Sequence, residues 1–599
     1  MALTRLTSLQ VTFKHGGVGA VIRSLFSKLS DTVSVNDFSS IQDGINALSA
    51  TGGGVLEFPA GTFLISAPIT LKSNVKLVGK GYGVTVIKLT NGANCDLVVT
   101  EGFGTFASLQ DVGVPKDFGI EKLTIDGNYL ASDWNSATNT INNTTGYGLK
   151  VEGFGFTVDV ELYNIPEVGI RIKGESSAPA TQDIYSHVSV FGRVFGKEGL
   201  IMTGPNDIII DKAWLGLCGI LPRPTADTTF ATSTEYVGET VDGIVIDDAN
   251  VELGDIHVYA CWSGRGLRTR NTVRLEGSHL ISESNNGQID FSANTYGSIG
   301  TVSVRNLSML HPNWSAAKPT YTGPDSRWDA FTCAASAYNV GSLKINRTIT
   351  GTSRIAGTNG LVLSGAGCQI NLTYNNSSPT DASDPEFGGR YTGQPVLLSG
   401  QGNTVVASVC NPRGAVLVSG NQNVVNAALI SPVGFGVRCS GNQNLIGATC
   451  QSQTQDGGSG SAFSNEGSNN IWNTSGLSNA VPFASSVGLG RVGGTNVYGS
   501  TRSFTITTDA ITVTTFDSQI SVDTEAAAAT DDLSTINGGA TNQRLTLVAA
   551  NSARDVVVKD GVGNIRSAGD FTLTHNQDRM VLEWDGSSWV EISRSDNSV

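Results

Sequence analysis

The chain has 599 residues, with 38 Lys or Arg against 52 Asp or Glu, a formal net charge of −14, and 72 glycines. Such a charge repels polyphosphate and excludes a nucleic-acid partner, and no apolar run approaches the ~20 residues that would cross a membrane. Apolar residues make up 39% of the chain, enough for a core, so wholesale disorder is excluded; the glycines follow no collagen-like period.

Residues 1–36 read as a short leader. Met1-Ala-Leu-Thr-Arg-Leu-Thr-Ser-Leu-Gln10 lacks the apolar stretch of a secretory signal, so assembly in the cytoplasm of the producing cell is expected. Ile41-Gln-Asp-Gly-Ile-Asn-Ala-Leu48 places Ile41, Ile45 and Leu48 on one helical face. A helix there would cover the exposed edge of whatever strands follow.

Residues 37–490 read as a solenoid, and internal repetition is the reason. Val396-Leu-Leu-Ser-Gly400 leads to Asn403, Val416-Leu-Val-Ser-Gly420 to Asn423, Val437-Arg-Cys-Ser-Gly441 to Asn444, and Phe463-Ser-Asn-Glu-Gly467 to Asn470. Gly204-Pro-Asn206-Asp-Ile-Ile-Ile210 is a weaker copy. Short β-rich runs at this period, without regular leucines, fit an all-β right-handed parallel β-helix of three strands per coil, stacked at ~4.8 Å. Turn asparagines would then stack and bond coil to coil. Insertions are expected at 175–183, 222–240, 312–330 and 375–393, where Pro, Ser, Thr and Asp cluster. Residues 475–500 read as a linker that runs into a small antiparallel β domain bounded at 491–599, whose strand-and-turn texture covers 501–599, with Asp585-Gly586 as a hairpin turn before Trp589. The eight cysteines form no C-x-x-C pair and read as small buried apolar residues. No zinc spacing, calcium repeat, G-x-S-x-G elbow, H-E-x-x-H or P-loop occurs, so neither a metal nor another cofactor is expected.

Gly52-Gly-Gly-Val-Leu-Glu-Phe-Pro59-Ala-Gly-Thr-Phe63, with Ile69-Thr-Leu-Lys-Ser-Asn-Val-Lys-Leu-Val-Gly-Lys-Gly81 and Ile120-Glu-Lys-Leu-Thr-Ile-Asp126-Gly-Asn128, resembles the opening of pectate-lyase-like β-helices. Leu25-Phe-Ser-Lys-Leu-Ser-Asp31-Thr-Val-Ser-Val-Asn-Asp37-Phe38 resembles the segment before the β-helix in bacteriophage tailspikes. Asp532-Leu-Ser-Thr-Ile-Asn-Gly538 through Glu591-Ile-Ser-Arg594 resembles small terminal domains of phage tail proteins, here for trimerisation or carbohydrate recognition. The resemblance implies a homotrimer attached to the phage tail by its N-terminus. It also implies binding, and usually cleavage, of a bacterial surface polysaccharide such as capsule or O-antigen. Two rivals stay open: a receptor-binding spike that holds its glycan uncut, and a lyase of pectate-lyase type.

Glycan hydrolysis needs two carboxyl groups, and a β-helix brings outward residues one coil apart to ~5 Å. Val251-Glu-Leu-Gly-Asp255-Ile-His257-Val-Tyr259-Ala-Cys-Trp262 repeats as Val273-Arg-Leu-Glu276-Gly-Ser-His279-Leu-Ile-Ser-Glu283 at a shift of 22. In that register His257 stacks on His279, Glu276 is the diagonal neighbour of Asp255, and Glu283 lies opposite Cys261 beside Trp262. Asp255, Glu276 and Glu283 are the catalytic candidates. His257, Trp262, Arg265, Arg268, His279 and Asp290 are the substrate-binding candidates; a charged sugar would stack on Trp262 and pair with Arg265 or Arg268. Glu252 would oppose Arg274 as a surface ion pair, Arg268 would oppose Asp290, and Asp247-Asp248 reads as a turn.

Overall fold

The structure, a computed structural model, describes residues 32–107, 111–130, 141–174, 186–204, 207–219, 241–261, 264–283, 287–305, 329–347, 359–376, 394–410, 415–430, 436–451, 463–467, 470–478, 502–513, 517–539 and 541–597, and a few isolated short strands besides. Most of the leader, the linker and the four expected insertions lie outside these residues. The chain divides into two compact units, residues 1–414 and 415–599.

The end of the expected leader already belongs to the solenoid, since the strand Thr32–Ser34 pairs in parallel with Gly54–Glu57; helix α1, Ile41–Ala50, follows, and its Ile45 and Leu48 are buried as its periodicity requires. Ser40 caps it by accepting from the Asp43 amide at 3.1 Å. The helix covers the strand edge through one side chain. Gln42 accepts the Thr70 amide at 2.8 Å and donates to the Thr70 carbonyl at 3.2 Å, closing both backbone groups of the central residue of the strand Ile69–Leu71. Gln42→Ala leaves this edge unpaired and should lower stability by about 1–2 kcal/mol in urea unfolding of the full chain.

The first winding shows three separate strands, Gly54–Glu57, Gly61–Ile65 and Ile69–Leu71. In the next winding Val75–Val78 and Thr85–Leu89 are still separate, and both pair with the single strand Gly119–Asp126. From there the first two walls fuse into long strands: β1 (Gly119–Asp126), β2 (Thr157–Ile165), β3 (Ser186–Phe195), β4 (Ile208–Cys218), β5 (Asn250–Tyr259), β6 (Val273–Glu283) and β7 (Thr295–Arg305). All pair in parallel, each with the next. A third wall of short parallel strands runs beside them, including Leu200–Thr203, Ile244–Asp247, Arg265–Arg270 and Gly287–Phe291. This is the expected right-handed parallel β-helix. Inward residues alternate with outward ones: in β5, Leu253, Ile256 and Val258 are buried while Asp255, His257 and Tyr259 are partly exposed. Where the fused strand turns from first to second wall, an extra residue enters, as at Asp211 between the Val188–Ile210 and Ser189–Lys212 pairs.

The second unit contains the regular repeats. The Asn423 amide donates to Asn444 Oδ1 and the Asn444 amide to Asn470 Oδ1, each at 2.8 Å. Asn444 Nδ2 also donates to the Gly420 carbonyl at 3.0 Å, so the predicted asparagine ladder exists and is buried. A Cβ on Gly441 or Gly467 would come within 1.8 Å of the carbonyl one coil away; glycine is needed there for close approach. In the first unit Asn403 makes the same bonds, to the Cys368 amide and the Gly365 carbonyl.

The domain at 502–597 is not purely antiparallel. Arg502–Thr505 pairs in parallel with Gln519–Asp523, and that strand with Arg544–Ala549; Ala510–Thr512 pairs in parallel with Thr535–Asn537 and Thr530–Leu533 with Asp555–Val558. The strands wind before they fold back. The local Asp585-Gly586 signal announces only the last hairpin, where Trp584 faces Trp589 across an antiparallel pair. Trp589 fills the core and donates its Nε1 hydrogen to the Ile536 carbonyl at 3.0 Å.

Candidate functional site

The long strands correct the register assumed from the sequence. On β5 and β6, Asp255 faces His279, Tyr259 faces Glu283 and Glu252 faces Glu276, a shift of 24 and not 22. His257 therefore does not stack on His279; its rung neighbour is Ile281. Glu252 does not face Arg274, which instead approaches Glu276 and Asp207, both at 3.8 Å. The shift of 22 does hold on the third wall, where Arg268 faces Asp290. The turn at Asp247-Asp248 is present, with Asp248 in the left-handed region at φ 52°.

The candidates are thereby divided among three walls. Glu276 lies on the first wall, ahead of the bend, and accepts from the Ser298 hydroxyl at 2.7 Å. Asp255, His257, His279 and Glu283 lie on the second. Glu283 is four residues beyond the rung shared by Asp255 and His279, so its Cα is roughly 13 Å further along the strand. Arg265 and Arg268 lie on the third wall, their Nε atoms 3.0 and 3.9 Å from Asp290 Oδ2. Beneath them Asp242 is fully buried, accepts the Arg265 amide at 2.8 Å and sits 3.7 Å from Arg268 and 3.9 Å from Arg270. Burial pushes its carboxyl above the usual range, against the pull of that amide and those guanidinium groups. Trp262 lies outside the described residues.

The second wall gathers side chains that the sequence reading missed. Trp214 of β4, 44% exposed, has the Phe191 ring of β3 on one side and the His257 ring of β5 on the other, both at 5.9 Å between centroids. Tyr259 lies 5.5 Å from His257, and Tyr82 lies 5.6 Å from Phe191. Tyr82 donates to Asp159; burial first, then that bond, holds its phenol protonated. Trp214 Nε1 donates to Asp255 Oδ2 at 3.3 Å, while His279 Nδ1 lies 3.1 Å from Asp255 Oδ1. Across the bend, on the first wall in the column of Ile209 and Glu252, His187 Nδ1 lies 3.0 Å from Asp211 Oδ2. Asp211 sits at the bend beside Gly254, one residue off the Asp255 rung, which places the two Cα atoms about 6 Å apart. Each of the two carboxylates thus has its own histidine, and Asp255 also touches the exposed indole. His257 Nε2, buried without a hydrogen-bond partner, is 3.4 Å from Glu283 Oε2. The sequence signal for Asp211 was the consecutive polar pair Asp211-Lys212 interrupting an apolar alternation.

Residues 30–215 match a family model described as rhamnogalacturonase A/epimerase, pectate lyase-like, as the opening motif implies. Mannuronan C5-epimerase AlgE2 of Azotobacter vinelandii is 39% identical over 112 residues, which is 17% of this chain and 10% of that protein. Alginate lyase 7 of the same organism is 34% identical over 140 residues, covering 22% and 15%. The chain thus spans only a small part of the length of these relatives. Among solved structures, pre-mature bacteriophage phi29 gene product 12 aligns with 85% of this chain and 64% of its own, at 14% identity and a TM-score of 0.40. Tailspike protein 3 of bacteriophage CBA120 aligns with 98% and 74%, at 10% identity and a TM-score of 0.34.

Proposed function

We propose that the chain is a bacteriophage tailspike that binds a bacterial surface polysaccharide, capsule or O-antigen, and hydrolyses it on the second wall. The observation that carries this reading is the pair Asp211 and Asp255 on adjacent coils, with Asp255 against the exposed ring of Trp214. One carboxyl would protonate the leaving oxygen while the other attacks or activates water, and the indole face would hold a pyranose. His279 positions Asp255; His257 and Glu283 extend the binding face. Arg265, Arg268 and Asp290 would contact only a glycan that wraps onto the third wall. The polysaccharides in the names of the matched relatives agree with a glycan substrate, and the leader and terminal-domain resemblances support a trimer attached to the tail by its N-terminus.

Incubation with purified host capsule should yield new reducing ends without the ultraviolet absorbance of an unsaturated uronate. The likeness to an alginate lyase favours a second reading, elimination with His257 as base. In that case the absorbance rises with the reducing ends. Capsule that stays intact while bound would establish a non-catalytic spike instead.

A further inference from the structure

We infer that the second wall takes a polysaccharide whose units carry no negative charge, an inference that rests on the glycan reading above. Across the five coils β2 to β6, Asp159, Glu161, Asp211, Asp255 and Glu283 occupy the bend or outward positions around the aromatic run. Among the described residues of those five coils on that face only Arg193 and Lys212 are permanent cations, with Arg305 of β7 facing Glu283 at the far end, and the Arg193 guanidinium is already seated 5.3 Å above the Tyr163 ring. His257 and His279 on that face, and His187 across the bend, each lie against one of the carboxylates. The arginines that a uronate would seek are around the corner on the third wall, each within 4 Å of Asp290 or Asp242.

A polyuronate laid along this face would bring its carboxylates within a Debye length, ~8–10 Å, of several like charges. Hydroxyl groups have the opposite relation to the wall: each carboxylate oxygen accepts their hydrogen bonds, and the exposed Trp214 ring accepts the apolar face of a sugar. The face thus rewards an uncharged chain and penalises an anionic one, although alginate and mannuronan, the polymers in the relatives' names, are polyuronates.

Retention of the full chain on immobilised polymers tests this, with purified neutral bacterial surface polysaccharides set against polymannuronate and polygalacturonate. Neutral polymer from the susceptible host should be retained equally at low and high salt. The polyuronates should be retained at least ~10-fold less at low salt, with the gap narrowing as salt screens the repulsion. The double variant Asp159→Asn, Glu161→Gln, outside the carboxylate pair, should raise polyuronate retention severalfold at low salt. Strong polyuronate retention at low salt that added salt abolishes would overturn the inference while leaving a glycan-binding spike in place. If the host's own polysaccharide is neither retained nor cut, the glycan reading itself fails and this inference with it.

Discussion

Asp255→Asn is expected to lower kcat on the host polysaccharide by about 10²–10⁴-fold, the range a positioned acid or base contributes, while the unfolding free energy changes by no more than about 0.5 kcal/mol. The asparagine keeps the shape of the side chain and can still accept the Trp214 Nε1 hydrogen, now 3.3 Å from Asp255 Oδ2. What it loses is the charge and the ability to carry a proton. The side chain is 39% exposed, so the change leaves no buried group stranded. Glu276→Gln makes the sharper comparison. Glu276 stands on the first wall, across the bend, hydrogen-bonded to Ser298, and its amide variant should retain near-parent turnover. Initial rates for both variants beside their melting curves decide the matter; a silent Glu276→Gln with an active Asp255→Asn would remove the proposed centre.

Asn444→Ala should be among the most destabilising single changes in the second unit, at about 2–5 kcal/mol. Its side chain closes two backbone groups of the preceding coil at once, accepting from the Asn423 amide at 2.8 Å and donating to the Gly420 carbonyl at 3.0 Å. Truncation strands both backbone groups where water cannot reach, since Asn423 and Asn444 are 1% exposed. Asn426→Ala on the exposed face of the same sheet is expected to cost no more than about 0.5 kcal/mol. Urea unfolding of the full chain with both variants separates the ladder from ordinary surface polarity; equal midpoints would show that the stacked amides contribute nothing net.

The fold was largely legible because it is periodic. Asn423, Asn444 and Asn470 stack as their spacing requires, and Ile45 and Leu48 bury the face that the helix pattern assigns them. The site was legible only in part, for a definite physical reason. Shifts of 22 and 24 differ by two residues, and side chains alternate with period two, so both registers keep Ile256, Val258 and Leu280 inside and Asp255 and His279 outside. Hydrophobic pattern cannot choose between them; the turn lengths do. One more residue separates Asp247 from Asn250 in the following coil, which is why Asp247 faces Arg270 while Asn250 faces Arg274. Matching histidine to histidine therefore put a false rung at the centre. Asp211 escaped notice because its counterparts at the bend, Gly254 and Ser278, repeat the position without an acid.

That bend has a consequence for how such a protein can change. At Asp211 the corner of β4 carries one residue more than that of β3, and by Ser189–Lys212 the pairing is regular again. A single-codon insertion at a corner could therefore present a new reactive group to solvent while every later winding keeps its partners. A lineage pressed to follow a shifting surface sugar could thus lengthen corners one residue at a time, leaving the buried alternation that holds the molecule together untouched.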